Sequence, residues 1–178
     1  MPRWLAPFGL AFALLVCACG AEANEASPAD QSFPALTGRV VDNADLLPPD
    51  REAALVASLE RLERELGAQL VLVTVPTLGD RRIEEFGVDL GRHWRVGRAG
   101  INDGVLLIVA PNDRKVRIEV GYGLEYALTD PFCAEVMRRE ILPRFRAGDM
   151  AGGIEAGTQA LIARMRAMPL RASRDLAA

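Results

Sequence analysis

Apolar positions along this chain change their spacing several times, and each change marks an element. From Pro48-Pro49-Asp50 onward, Val56, Leu59, Leu62 and Leu66 recur every three or four residues. That is the period of a helix with one buried face. Proline suits its first turn and Gly67 supplies its stop. Leu70–Val75 is a continuous, valine-rich run, expected as a strand covered on both faces. Ile83, Phe86, Leu90 and Trp94 return to helical spacing. Val105–Ala110 is a second buried run, followed by the turn residues Pro111-Asn112-Asp113-Arg114. Lys115–Val120 then alternates, with Val116, Ile118 and Val120 on one side and Arg117 and Glu119 on the other. Asp130-Pro131 reads as a cap followed by proline at the first helical position. The helix it opens should reach about Arg146 and bend or break at Pro143. A last helix is expected over Gly152–Met168, built around Ile154, Leu161, Ile162 and Met165 and ended by Pro169.

Long helices alternating with strands define an α/β fold. The expected architecture is a three-layer α/β/α sandwich with a small mixed central sheet. Residues 70–110 should form a right-handed parallel crossover, and residues 105–120 an antiparallel hairpin. No internal repeat is present.

The front of the chain bears on where the protein works. Arg3 precedes Trp4–Val16, an apolar run without charge. It falls short of the roughly 20 residues of a bilayer span and has the form of a cleavable export signal. Val16-Cys17-Ala18-Cys19-Gly20 follows and resembles a bacterial lipobox. Cys19, preceded by small Ala18, is the lipidation candidate, since bulky Val16 precedes Cys17. The alternative is an ordinary signal peptide cut within Ala18–Ala26, which would leave a secreted protein. Residues 1–19 are therefore read as a signal peptide with a lipobox, and residues 20–32 as a small, polar, acidic linker. Residues 33–168 form one domain and 169–178 a short polar tail. The expected location is exported: periplasmic, or on an outer membrane face through an N-terminal lipid.

Composition removes several functional classes. There are 21 Lys+Arg against 24 Asp+Glu, a net charge of -3. Lys115 is the only lysine, and the arginines are scattered among acids with no aromatic-studded basic stripe. Nucleic acid is not an expected partner. Once the leader is gone, Cys133 is the one cysteine, and its neighbours Phe132 and Ala134 suit a thiol packed as a small hydrophobe. His93 is the only histidine and reads as a surface or boundary residue. Zinc-type ligand spacings are absent, as are a P-loop and the D-x-D-x-T nucleophile motif.

Val40-Val41-Asp42-Asn43-Ala44 with Leu46-Leu47 resembles the opening V-x-D-x-A-x-x-L of the TPM-domain family. The likeness continues through Trp94, Asp103–Leu107, Asp113–Glu125 with its Gly121-Tyr122-Gly123-Leu124-Glu125 core, Leu128-Thr129-Asp130, Ile141–Phe145 and Gly148-Asp149. It covers roughly Phe33 to Met165. The family includes exported bacterial proteins and thylakoid-lumen proteins linked to photosystem repair. The resemblance implies an α/β/α sandwich. It also implies either weak acid phosphatase activity, or binding of calcium or a similar cation, or a role without known activity. Relatives are often labelled after methanol dehydrogenase, but nothing in these residues supports redox chemistry. This chain departs from the pattern twice. Many relatives read Asp-Asn-Gly where it has Asn102-Asp103-Gly104. Many also carry a transmembrane segment and glycine-rich tail behind the domain, so here a lipid at the front is expected to serve as anchor.

Five acids are candidate ligands for calcium or magnesium: Asp42, Asp103, Glu119, Glu125 and Asp130. Such hard cations take oxygens from carboxylates, carbonyls and water. The resemblance places Asp42 and Asp103 on loops at strand ends. Glu119 has an alternative as a partner of Arg117 or Arg139, and Asp130 as a helix cap. Tyr122 either projects into a pocket or packs. Arg114, Arg138 and Arg139 are candidates for holding a phosphate. The function expected is a membrane-tethered module with an acidic cation pocket that aids assembly or upkeep of envelope complexes, with an unidentified envelope protein as partner. The alternative is metal-assisted hydrolysis of phosphate monoesters, with catalytic residues unassigned.

Overall fold

The computed structural model describes residues 33–167. The expected export signal with Cys19, the expected 20–32 linker and the expected 169–178 tail lie outside the described residues.

Four strands form one sheet in the order β1-β2-β3-β4: β1 Val40–Asp42, β2 Gln69–Thr74, β3 Gly104–Ala110 and β4 Lys115–Val120. The first three are parallel, and β4 returns antiparallel to β3. The sheet is therefore mixed, as expected. β1 is an addition: three residues are too few for the pattern to announce a strand. The helices are α1 Pro49–Leu66, α2 Ile83–Trp94, α3 Asp130–Val136, α4 Leu142–Arg146 and α5 Met150–Ala167.

Register sorts the side chains into two layers. Val40, Leu72, Leu107 and Ile118 stand in one row and face the cluster of α1, α3 and α5. The next row, Val41, Val73 and Ile108, faces α2 through Ile83, Phe86, Leu90 and Trp94. The sandwich thus has helices on both faces. α1 and α2 lie on opposite faces, yet β1 to β2 and β2 to β3 step the same way across the sheet. Two parallel crossovers arranged so cannot both be right-handed, and one of the pair is an exception to the usual rule.

Helix ends follow local chemistry. Gly67 closes α1 at φ 74°, its N–H donating to the Glu63 carbonyl at 2.7 Å. Asp130 proves to be a first-turn residue of α3 and not its cap. Thr129 holds the capping position, and no side chain caps the helix there. A carboxylate in the first turn still complements the helix dipole. The break expected at Pro143 falls one turn earlier, as a π-type turn over Met137–Ile141. Pro143 then sits in the first turn of α4, where its missing N–H is not needed. Asp149, just before α5, accepts the Gly152 N–H at 2.9 Å.

Candidate functional site

The family-motif acids are engaged within the fold. Asp42 ends β1, and its Oδ2 accepts the Leu47 N–H at 2.8 Å. Its Oδ1 accepts the Thr74 hydroxyl, whose oxygen accepts the Ala44 N–H at 2.9 Å. The V-x-D-x-A-x-x-L opening is thereby a loop tie that drops Leu47 into the core. Asp103 is 2% exposed. Its Oδ1 accepts the Arg98 backbone N–H at 2.8 Å, and its Oδ2 accepts the Arg98 Nε–H at 2.7 Å. Glu119 pairs with Arg117 at 2.6 Å, one of its two anticipated alternatives. The Cβ-less Gly87 of α2 lies against that pair, where an added Cβ would stand 3.3 Å from Glu119 Oε2. Glu125 and Asp130 are exposed.

These five acids do not form the expected cation cleft. Asp42 shares a register row with Thr74 and Val109, whereas Asp103 adjoins Gly104 in the row of Gln69. Five to six strand residues separate the rows, roughly 17–20 Å at the usual rise. The two most ligand-like carboxylates therefore lie at opposite ends of the sheet, each already engaged by internal donors. Among the described residues no three His, Cys, Asp or Glu side chains come together as a metal-holding group. As a set they do not fit one calcium or magnesium ion, which needs about six or more convergent oxygens.

The glycine-rich loop is a packing device. Three segments touch at the Asp103 end of the sheet. A Cβ on Gly121 would stand 2.2 Å from the Asn102 carbonyl oxygen, and one on Gly123 2.1 Å from that of Ile101. A Cβ on Gly104 would stand 2.4 Å from the Val96 carbonyl oxygen. Gly121 and Gly123 donate to Gly104 and Asn102 at 2.8 and 3.0 Å. Asn102 adopts φ 55°, a left-handed conformation that asparagine tolerates. The Asn102-Asp103 order thus supplies a turn residue followed by a buried anchor. Tyr122, between the glycines, is 79% exposed and so does not pack into the core.

Structure instead gathers cations. Arg82, Arg114, Lys115 and Arg138, with Glu84 among them, line a groove of about 520 Å³. Its walls include Ile83, Val116, Met137 and Leu142. The groove lies beside the start of β4, the edge strand, between the first turn of α2 and the α3 region. The rim is braced: Asp113 accepts the Leu78 N–H at 2.6 Å and the Thr77 hydroxyl at 3.1 Å. A hydrogen bond from its own backbone N–H holds the Glu84 carboxyl below its ordinary range, aided by the charges of Arg82, Arg117 and Lys115 and opposed by slight desolvation. Glu135 is likewise lowered, first by its hydrogen bond from Arg138, and it pairs with Arg139 as well. Of the three arginines expected to hold phosphate, Arg114 and Arg138 meet in the groove, while Arg139 and Tyr122 are not among its lining residues. Arg82, Glu84 and Lys115 escaped the sequence reading. The one local signal was a lone lysine directly after a hairpin turn.

Cys133 is packed, its thiol 3.7 Å from the Leu128 carbonyl oxygen. Burial first, then the Asp130 charge, pushes the thiol from 9.0 up to about 11. His93 is exposed, with its ring 5.2 Å from that of Phe33.

Two outcomes follow. Gly104→Ala and Gly123→Ala should each lower unfolding free energy by about 1–3 kcal/mol, since backbone cannot yield as a side chain does. Tyr122→Ala should stay within about 0.5 kcal/mol of the parent. Urea denaturation measures both. Cys133 should resist alkylation in the folded protein at pH 8 and react once denaturant is added. Because the folded thiol titrates higher than the unfolded one, its contribution to stability is whole below pH 9 and is lost as pH climbs toward 11.

Comparison with known proteins adds the lineage. A family model described as the TPM domain matches residues 40–164. The N-terminal domain of a P. gingivalis protein, solved by NMR, is similar at 33% identity with a TM-score of 0.69, covering 74% of this chain and 83% of that one. The BA42 protein of Bizionia argentinensis is similar at 17% identity and TM-score 0.59, covering 70% of this chain and 86% of that one. The N-terminal domain of a Corynebacterium glutamicum protein follows at 14% and 0.56, covering 75% and 83%. At the two lower identities the likeness is one of fold. A search of curated proteins found no match. The model match, the P. gingivalis likeness and the sandwich agree: the chain belongs to the TPM-domain family.

Proposed function

We propose that this protein is an exported, lipid-tethered TPM-domain module that holds an anionic partner and so assists assembly or upkeep of an envelope complex. The observation that carries this reading is the division of labour among its charges. Asp42 and Asp103 serve as internal ties, while four cations remain open to solvent around one groove. The groove lining holds no hydroxyl, thiol or imidazole. Its chemistry suits retention of an anion by charge-assisted hydrogen bonds more than attack upon one. Support for the tether comes from Cys19 behind small Ala18 and from the polar 20–32 spacer. Among the described residues no helix is long and apolar enough to cross a membrane.

The rival reading, a metal-assisted acid phosphatase, draws on the same basic groove. It needs a nucleophile or an activated water, and Glu84 is the one carboxylate in the lining. One measurement tests the tether and a second separates the readings. Cys19→Ala should move the protein from the membrane fraction to the soluble fraction, and its retention on membranes would remove the tether. The purified chain should release no phosphate from p-nitrophenyl phosphate, with or without added calcium or magnesium. Turnover that Arg114→Gln lowers would replace the module by the hydrolase.

A further inference from the structure

β4 ends the sheet, and its sequence has the same pattern in both directions. Val116-Arg117-Ile118-Glu119-Val120 has an apolar residue at its centre and at each end, with opposite charges between them. The Val105–Val120 register puts Gly121 opposite Gly104, to whose carbonyl its N–H donates at 2.8 Å. Antiparallel ladders alternate, so Arg117 and Glu119 also bond inward to β3. The N–H and carbonyl groups of Val116, Ile118 and Val120 then point away from the sheet. Among the described residues no loop or side chain takes them up. Natural sheets blunt such an edge with charge, proline or a covering segment. This edge carries charges of both signs, in an order that an antiparallel copy of itself would match.

A second β4 running antiparallel can bond to these outward groups in only a few registers. Centred on Arg117, it would set two guanidiniums face to face; centred on Glu119, two carboxylates. Like charges directly opposed are destabilising. Centred on Ile118, it sets Arg117 opposite Glu119 of the second copy and Val116 opposite Val120, each twice. The charged pairs then fall at the non-hydrogen-bonded sites, where side chains approach most closely. Arg117 already holds its own Glu119 at 2.6 Å, and its five donors leave room for a second carboxylate. The same register carries Tyr122, 79% exposed, towards Arg114 of the second copy. Arg114 makes no ion pair among the described residues, and a guanidinium over a tyrosine ring is a favourable contact.

We propose that β4 is the interface of a homodimer, in which two copies pair edge to edge about a twofold axis at Ile118. Their four-stranded sheets then join into one. Arg117 and Glu119 set the register, and the main-chain bonds of Val116, Ile118 and Val120 hold it. A strand of 6 residues buries little area by itself, so the dimer is weak and forms with rising concentration. Anion retention in the groove and the lipid tether are separate properties, and the loss of either would leave the dimer standing.

The purified full-length Cys19→Ala chain, free of any lipid of its own, is followed by sedimentation from low to high micromolar concentration. A monomer–dimer equilibrium is expected. As concentration rises, the amide protons of Val116, Ile118 and Val120 should gain protection from solvent exchange, read by NMR. Those of Arg117 and Glu119, already bonded to β3, should change little. Arg117→Glu alone and Glu119→Arg alone each set like charges face to face. Each should weaken the dimer roughly ten-fold or more, with the circular dichroism of the folded chain retained. Mixing the two variants restores every opposite-charge pair, so a mixed dimer should form about as tightly as the parent's. Association that neither reversal weakens belongs to another segment and would overturn the proposal. A parent that stays monomeric, edge amides indifferent to concentration, or variants that fail to rescue one another would overturn it equally.

Discussion

β3 has no solvent face. Every residue of Gly104–Ala110 is buried, between β2 and β4 in the sheet and between helices above and below it. Burying such a strand calls for apolar side chains on both of its faces and for paired backbone along both of its edges. The rest of the architecture meets those demands. α2 covers Leu106 and Ile108, while the α1, α3 and α5 cluster covers Val105, Leu107 and Val109. β2 and β4 supply the hydrogen bonds. Where the strand begins, Gly104 admits the 96–97 backbone, and Gly121 and Gly123 admit the preceding loop. That crowding leaves no room for a ligand among those glycines.

The same demand accounts for the acids of the family signature. Loops that join buried strands carry backbone N–H groups that need acceptors. Asp42 satisfies Leu47, Asp103 satisfies Arg98, and Asp113 satisfies Leu78. Asp42 and Asp113 shape connections at one end of the sheet and Asp103 at the other. Acidic residues near strand ends invite a metal-site reading, but the hydrogen-bond partners of these three are donors supplied by the chain itself.

Beside the Ala110 end of β3, at the β4 edge of the sheet, cations gather. The hairpin returning into β4 delivers Arg114 and Lys115 beside the start of α2, and the widened turn after α3 brings Arg138 to the same place. β4 is an edge strand, so nothing in the sheet covers this corner. A low-lying apolar floor with a cationic rim results, and Glu84 stays ionised within it. Such a corner suits the anion-holding role proposed above.

Much of the fold was legible in the chain. Helical spacing in Val56–Leu66 and Ile83–Trp94, the two buried runs and the alternation of Lys115–Val120 all reflect burial acting on neighbouring residues, which pattern records directly. The glycine-rich core also announced the family. β1 was hidden because three residues show no period, and the bend before Pro143 shifted because a π-type turn absorbed it. Partnership was beyond local reading. Whether Asp42 faces Thr74 or a metal, or whether Arg82 meets Arg138, depends on strands and helices that lie tens of residues apart in the chain. Sequence by itself determined which positions shun water and what elements they build. Only the tertiary structure decided which charges become neighbours, because electrostatic and hydrogen-bond partners are set by distance in space and not by separation along the chain.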